Sequence, residues 1–327
     1  MELEFIKYSS IEQFRSAIKC VRDYSKHHEL PLPTLKFNGT VKLHGTNACV
    51  VYDVDTDSFA YQSRERMLSL TQDNAGFMLW ASQEVIKNVF RQLVDNSLHA
   101  QKSVYFYGEW AGGNIQKGVG ISGLDKKFYI FRIVVDGKAI DMSKFFMDNE
   151  SFDFPIYSVY DFPTFEIEID FNNPEQYQNQ LVEWTINVEN ECPVAKHFGI
   201  DNGTGEGIVW ENLDTGVMFK TKGEKHSVSK VKTLKEIAPV DIAKMESMKE
   251  FIDTTVTVNR LNQGLDKLVE LGLDADDSKN IGAYIKWVAG DVFKEENDTI
   301  IENQFSTKQL GNHIANVARN YFINRTL

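Results

Sequence analysis

The chain has 327 residues, 42% of them apolar and 12% aromatic, with a formal net charge of -12. That length and apolar content suit two packed domains, no stretch approaches the ~20 apolar residues of a membrane span, and the acidic balance argues against a passive nucleic-acid coat protein, which is usually basic. Three widely spaced cysteines, Cys20, Cys49 and Cys192, point to a reducing cytoplasm and away from a disulfide framework or a Cys-based zinc site, and Met1-Glu2-Leu3-Glu4-Phe5 lacks the basic region and apolar run of a secretory signal.

The first predicted element is a helix from about Ile11 to Tyr24, followed by Leu30-Pro31-Leu32-Pro33. From Lys36 to about Pro239 the texture is mostly β, with strand candidates at Ala48–Asp53, Ser58–Gln62, Ser103–Glu109, Phe128–Val135, Gly207–Trp210 and Val217–Thr221. One long helix is predicted inside this region, roughly Asp73 to Leu98, because Phe77, Leu79, Trp80, Val85, Ile86, Val89, Phe90 and Leu93 recur at helical intervals. Asp136-Gly137 marks a tight hairpin turn. After Pro239, Asp241–Ile252, Val258–Leu271, Ser278–Glu296 and Ser306–Asn324 read as amphipathic helices, the last opening on a capping box, Ser306-Thr307-Lys308-Gln309. The shift in periodicity sets the domains at 1–240 and 241–327.

The chemistry concentrates in a few segments. Lys42-Leu43-His44-Gly45-Thr46-Asn47 sets a lysine at a strand-like start, then a glycine-permitted turn and two polar side chains. Such a lysine is either a covalent nucleophile or a surface charge beside an ordinary β-turn. Ser63-Arg64 follows a strand, Gly108-Glu109 ends one ahead of the Gly112-Gly113 loop, and Phe128-Tyr129-Ile130-Phe131-Arg132-Ile133, Glu206-Gly207-Ile208-Val209 and Lys220-Thr221-Lys222 follow in order. Lys220 and Lys222 sit at strand spacing and share a face. They begin a local basic run with Lys225, Lys230, Lys232 and Lys235 against Glu224 and Glu236, and counterion release depends on charge at the contact surface rather than on net charge.

That order, Lys-x-His-Gly-x-Asn, Ser-Arg, Gly-Glu, an aromatic strand, Glu-Gly-Ile-Val and Lys-x-Lys, resembles the covalent nucleotidyltransferases: ATP-dependent DNA ligases, RNA ligases and mRNA capping enzymes. DNA ligases and capping enzymes typically carry Lys-x-Asp-Gly-x-Arg at the first motif. His44 and Asn47 are instead similar to the RNA ligase 2 family, the group of the phage T4 double-strand RNA ligase and the kinetoplastid editing ligases. The resemblance spans Lys42 to Lys222.

It implies an α+β fold, an ATP-grasp-like nucleotidyltransferase domain of antiparallel sheets with flanking helices, followed by a small all-α C-terminal domain. It implies an ATP-dependent RNA ligase that joins 3′-hydroxyl and 5′-phosphate ends through lysyl-AMP on Lys42 and an adenylylated strand, with Mg²⁺ or Mn²⁺. A solvated lysine has a pKa near 10.4, so neighbouring cations and partial desolvation are needed to free its lone pair. Lys220 and Lys222 supply such cations and bind α-phosphate oxygens. By resemblance, Glu109 holds the ribose hydroxyls and Glu206 positions the metal; read alone, each carboxylate is equally an ion-pair partner for a motif lysine. Phe131 stacks on adenine, Arg64 contacts the ribose, phosphates or strand, and the peptide groups around Val41 and Lys42 read the adenine edge. His44 and Asn47 act on the phosphate or incoming strand, and Gln116 touches the nucleic-acid backbone.

The chain departs from the pattern at Arg132, where the RNA ligase 2 group often has an acid, and at Trp110 and Trp210, where relatives often carry aliphatics. Residues 151–202 are acidic and aromatic-rich, without a motif. The expected partner is a nicked RNA duplex or RNA–DNA hybrid, engaged by a monomer in the cytoplasm, in keeping with a phage-infected bacterial cell. A DNA nick ligase is disfavoured by His44, Asn47 and the helical tail, and an inactive nucleic-acid-binding module by the joint retention of Lys42, Glu109, Glu206, Lys220 and Lys222.

Overall fold

The computed structural model describes residues 3–145, 154–225 and 241–325. The chain divides into two compact units, Met1–Lys225 and His226–Leu327, so the expected boundary at 240 falls inside the second. Lys230, Lys232 and Lys235 lie outside the described residues.

The first unit holds eleven strands and five helices among its described residues: β1 (Glu12–Gln13), α1 (Phe14–His27), β2 (Thr34–Lys42), β3 (Thr46–Asp53), β4 (Ser58–Ser63), α2 (Phe77–Ala81), α3 (Glu84–Leu93), β5 (Ser103–Ala111), β6 (Lys127–Val135), β7 (Lys138–Ala139), β8 (Ile156–Ser158), β9 (Phe165–Asp170), α4 (Gln178–Asn190), α5 (Pro193–His197), β10 (Gly207–Glu211) and β11 (Met218–Lys222). They form a five-stranded sheet, β1-β11-β10-β2-β9, and a six-stranded sheet, β4-β3-β5-β6-β7 with β8 also on β6. The pairings are antiparallel except β1 with β11 and β6 with β8.

Period-two alternation sorts each strand's residues onto two faces, one of them covered by helices. Phe37, Val41, Ile208, Trp210 and Phe219 of the five-stranded sheet pack with Ala17 and Val21 of α1 and Leu181 and Val188 of α4. Ala48, Val50, Phe106, Phe128, Ile130 and Ile133 of the six-stranded sheet pack with Phe77, Ile86, Val89 and Phe90 of α2 and α3. The opposite faces approach one another: that of the six-stranded sheet carries Cys49, Val51, Tyr105 and Tyr107, and Arg132 of β6 pairs with Glu211 of β10.

Two expectations are corrected. Lys42 closes a strand, β2, rather than starting one. The helix predicted over Asp73–Leu98 is broken: Gln83 is extended (φ -64°, ψ 135°) and restarts the chain as α3, which widens into a π-helical turn at Val94–Leu98. The Asp73 carboxylate accepts from the Met78 and Leu79 amides at 2.8 and 3.0 Å, fixing the entry to α2. Residues 151–202, without a sequence motif, supply edge strand β9 and core helix α4. The Asp136-Gly137 hairpin forms between β6 and β7.

The second unit is helical throughout its described residues: α6 (Asp241–Thr255), α7 (Val258–Glu270), α8 (Ile281–Glu295), α9 (Asn297–Glu302) and α10 (Thr307–Asn324). Phe251, Leu261, Leu268, Tyr284, Val288, Leu310, Ile314 and Phe322 make its core. Inside it lies the fully buried Arg260, 2.8 Å from Asp291, 3.4 Å from Glu296 and donating to the Thr255 carbonyl at 2.6 Å. A buried carboxylate that loses its cation is costly, so Arg260→Ala should destabilise this unit by about 3–5 kcal/mol, read as a lowered denaturant midpoint for loss of helical signal.

Candidate active site

Three strand positions stand in one rank. Lys42 of β2 is the register partner of Gly207 of β10, which is the partner of Lys222 of β11. Gly207 has φ +150°, and a Cβ there would strike the Thr221 carbonyl, so only glycine fits between the two lysines. Glu206, just before β10, turns its buried carboxylate into the gap. One oxygen lies 2.7 Å from Lys42 Nζ and 3.4 Å from His44 Nδ1, and the other lies 3.0 Å from Lys222 Nζ. Burial works to raise the pKa of Glu206, but Lys42, Lys222 and His44 outweigh it and hold the carboxyl well below the usual range. Burial lowers the pKa of Lys222, with the Lys42 and Lys220 charges pushing the same way and Glu206 opposing.

After Lys42 the chain crosses to the other sheet through Leu43-His44-Gly45. Gly45 packs so closely on the Trp110–Ala111 backbone that no Cβ fits, and its N–H donates to Glu109 Oε1 at 2.9 Å. Glu109 and Asn47 are register partners on β5 and β3. Burial pushes Glu109 up to about 7; Lys42 pulls it down, Glu206 adds to the rise, and the Gly45 N–H and His44 oppose. The two carboxylates therefore differ in role: Glu206 is clasped by two ammonium groups, whereas Glu109 is held by a peptide.

On β6 the pairing with β5 skips a residue, since Gly108 pairs with Ile130 and Tyr107 with Arg132. Ile130 and Ile133 both enter the helix-covered core, so the bulge puts Phe131 and Arg132 together on the inner face. Phe131 is half-buried, its ring centroid 4.9 Å from that of Tyr8. The departure at Arg132 is compensated by Glu211 on β10, and the Trp210 and Trp110 indole N–H groups are satisfied by Thr221 Oγ1 and the Ala75 carbonyl, each at 3.2 Å.

The structure thus brings Lys42, His44, Glu206 and Lys222 into direct contact, with Glu109 and Asn47 alongside. Lys220 shares the Lys222 face of β11, opposite Val209. The Val41 side chain is in the core, leaving only its backbone toward the site. Arg64 donates to Ser10 Oγ at 3.0 Å rather than to the cluster, and Gln116 sits in the loop between β5 and β6, with no hydrogen bond tying it to the cluster. Sequence reasoning missed Glu211 and Tyr8. Glu211 was detectable as the third member of the Gly207, Val209, Glu211 alternation; Tyr8 had no local signal.

No group of three or more His, Cys, Asp or Glu that could hold a metal occurs among the described residues. Glu206 nonetheless fits a hard divalent ion, because Mg²⁺ is commonly held by one or two carboxylates with substrate phosphates and water completing its shell. No helix of the described residues is long and apolar enough to cross a membrane.

A profile of the family described as RNA ligase matches residues 36–232, the stretch that carries every motif lysine and carboxylate above. The chain belongs to the RNA ligase family. Solved structures of Naegleria gruberi RNA ligase are similar: a lysine-to-methionine variant with AMP and Mn at 17% identity and TM-score 0.44, covering 67% of this chain and 56% of that one; a lysine-to-alanine variant with ATP and Mn at 18%, TM-score 0.45, covering 67% and 57%; and the enzyme with PPi at 19%, TM-score 0.43, covering 67% and 56%. This chain therefore spans little more than half the length of those proteins. Comparison with curated protein sequences yields no match.

The raised pKa of Glu109 has a stability consequence. The folded chain keeps there a proton that an unfolded glutamate releases near pH ~4.3, so this group costs stability as pH rises from about 4 to about 7. Glu109→Gln still accepts from Gly45 and should melt above the parent at about pH 8, with the gap closing toward about pH 4. Parallel melting curves across that range would contradict this.

Proposed function

We propose that this protein is an ATP-dependent RNA ligase that seals 3′-hydroxyl to 5′-phosphate ends, and that Lys42 is its nucleophile. The observation that carries the reading is the Glu206 clasp of Lys42 and Lys222, with Glu109 beside it, inside the stretch matched by the family.

An ammonium has no lone pair to attack with, and without nucleotide the Lys42 amine is paired with Glu206 at 2.7 Å. An arriving triphosphate offers the lysines other anions, and the Lys42–Glu206 pair opens as Lys42 sheds its proton to solvent water. Lys42 Nζ then attacks the α-phosphorus: the N–P bond forms, the bond to the bridging oxygen breaks and pyrophosphate leaves. Lys222 and Lys220 face the charge that builds on the phosphate oxygens, where fixed cations act most strongly. Next, an oxygen of a strand 5′-phosphate attacks the α-phosphorus: the P–O bond forms, the N–P bond breaks, Lys42 leaves and regains a proton from solvent water, and AMP is carried on the strand. Last, a 3′-hydroxyl attacks that 5′-phosphorus: the new P–O bond forms, the bond to the bridging oxygen breaks, AMP departs and the hydroxyl proton passes to solvent water. A divalent ion, when bound, neutralises phosphate charge; Glu206 is the residue that would hold it. His44, 3.4 Å from Glu206, keeps the carboxylate oriented, and Phe131 offers a half-buried ring to the base.

The substrate is a nicked RNA duplex or RNA–DNA hybrid. The lysines of the 220–235 run support phosphate contact despite the net charge of -12, and the helical unit helps hold the duplex. A monomer in the cytoplasm of a phage-infected cell suits this role.

Intact mass after incubation with ATP and Mg²⁺, with peptide mapping, tests the reading. One AMP is expected on Lys42 and none on Lys42→Ala; an adduct on the variant would refute the nucleophile. Glu206→Gln should slow adduct formation roughly 100-fold. A chain ending at residue 240 should still take up AMP yet seal nicks poorly, and intact sealing would remove the helical unit from the substrate site.

A further inference from the structure

The outer end of the space between the sheets is occupied by the N-terminal segment. Residues 3–10 carry no helix or strand, yet they are pinned across the inner face of the six-stranded sheet. The Ile6 carbonyl accepts from Gln62 Nε2 at 2.6 Å and from the Tyr107 hydroxyl at 3.0 Å, and the Glu4 carbonyl accepts from the Tyr105 hydroxyl at 3.2 Å. Lys7 pairs with Glu65 at 2.6 Å and Arg64 donates to Ser10 at 3.0 Å.

These bonds deliver Tyr8 to the junction of the sheets. Its ring centroid lies 4.9 Å from Phe131 and 5.4 Å from Tyr107, and its hydroxyl lies 3.6 Å from Met218 Sδ. The Arg132 guanidinium stands 5.9 Å from the Tyr8 ring centroid and pairs with Glu211. Tyr107 and Glu109 alternate on one face of β5, so this aromatic surface runs directly into the carboxylate and lysine cluster. Phe131 is the extra residue of a bulge, with no partner on β5 to fix it. The Tyr8 ring restrains its side chain from one side, and the Phe131 ring is half-buried rather than enclosed.

We propose that Tyr8 is a positioning residue for the nucleotide: it holds the Phe131 ring against which a purine base stacks, and with Arg132 and Glu211 it walls off the outer end of the base site. This rests on the ligase reading above. A preorganised aromatic surface spares the ligand the cost of ordering it, and a tilted aromatic pair contributes enough to change affinity by about tenfold.

The test is the rate of AMP transfer to the full chain as a function of ATP concentration. Tyr8→Ala is expected to raise the KM for ATP about tenfold with kcat within about threefold, and Tyr8→Phe, which keeps the ring, to restore the parent KM. If Tyr8→Ala does not fold, as judged by its melting curve, Tyr8→Leu carries the test, with a severalfold rise in KM expected. An unchanged KM overturns the proposal. So does a lowered KM, which would make Tyr8 a plug that ATP must displace, or a fall in kcat at saturating ATP that Tyr8→Phe does not rescue. A parent protein that takes up no AMP at all would sink the ligase reading and this proposal with it; a parent that does, beside variants with an unaltered KM, sinks this proposal alone.

Discussion

The buried carboxylate of Glu206, shared between Lys42 and Lys222, is the constraint on which the catalytic unit turns. Two ammonium groups on adjacent sides of a glycine would repel one another in a partly desolvated space, and a lone buried carboxylate would be driven to neutrality. Together the three groups are mutually satisfied. The clasp also fastens the ends of β2 and β11 to the start of β10, so the electrostatics of the site and the register of the sheet are one arrangement. In the ligase reading, the anion that holds the lysines at rest gives them up to phosphate when substrate arrives, and the site stays close to charge balance before and after.

The opposite sheet contributes by a different device. Its strands alternate between a helix-covered core and the inner face, which would place single residues at regular intervals. The bulge in β6 breaks that rhythm once, delivering an aromatic ring and a guanidinium side by side. The ring packs against Tyr8, and the guanidinium reaches across to Glu211 and joins the two sheets. An acid exchanged for a base at Arg132 is thus matched by an acid on the facing strand.

Much of the site was legible in the sequence because its members lie in short, ordered motifs whose residue types are set by chemistry. Lys42, His44, Glu206 and Lys222 come together in space, and of the two open readings of Glu206 the structure displays the ion-pair partner. Six strands and the four long C-terminal helices were visible from periodicity. Strands β2 and β9 were not: β2 has Asn38, Gly39 and Thr40 at its centre, and β9 alternates Glu166 and Glu168 with Ile167 and Ile169 in a stretch dominated by acidic residues. The break at Gln83 was hidden because apolar spacing continues across it. Arg64 and Gln116 were carried in by resemblance, and neither meets the cluster. Tyr8 escaped because its contacts are wholly tertiary.

The connectivity of β2 bears on how the chain is made. Its neighbours in the sheet are β9 and β10, with Phe37 opposite Ile167 and Lys42 opposite Gly207, and Tyr8 meets Met218 across 210 residues of sequence. A ribosome therefore extrudes most of the first unit before β2 acquires either partner. Until then β2 is an unpaired edge on a nascent chain, open to association with other chains, and closing such distant contacts makes folding slow. Nucleotide-binding competence should emerge late and abruptly in synthesis, once β10 and β11 have cleared the exit tunnel, with no gradual gain as the chain lengthens.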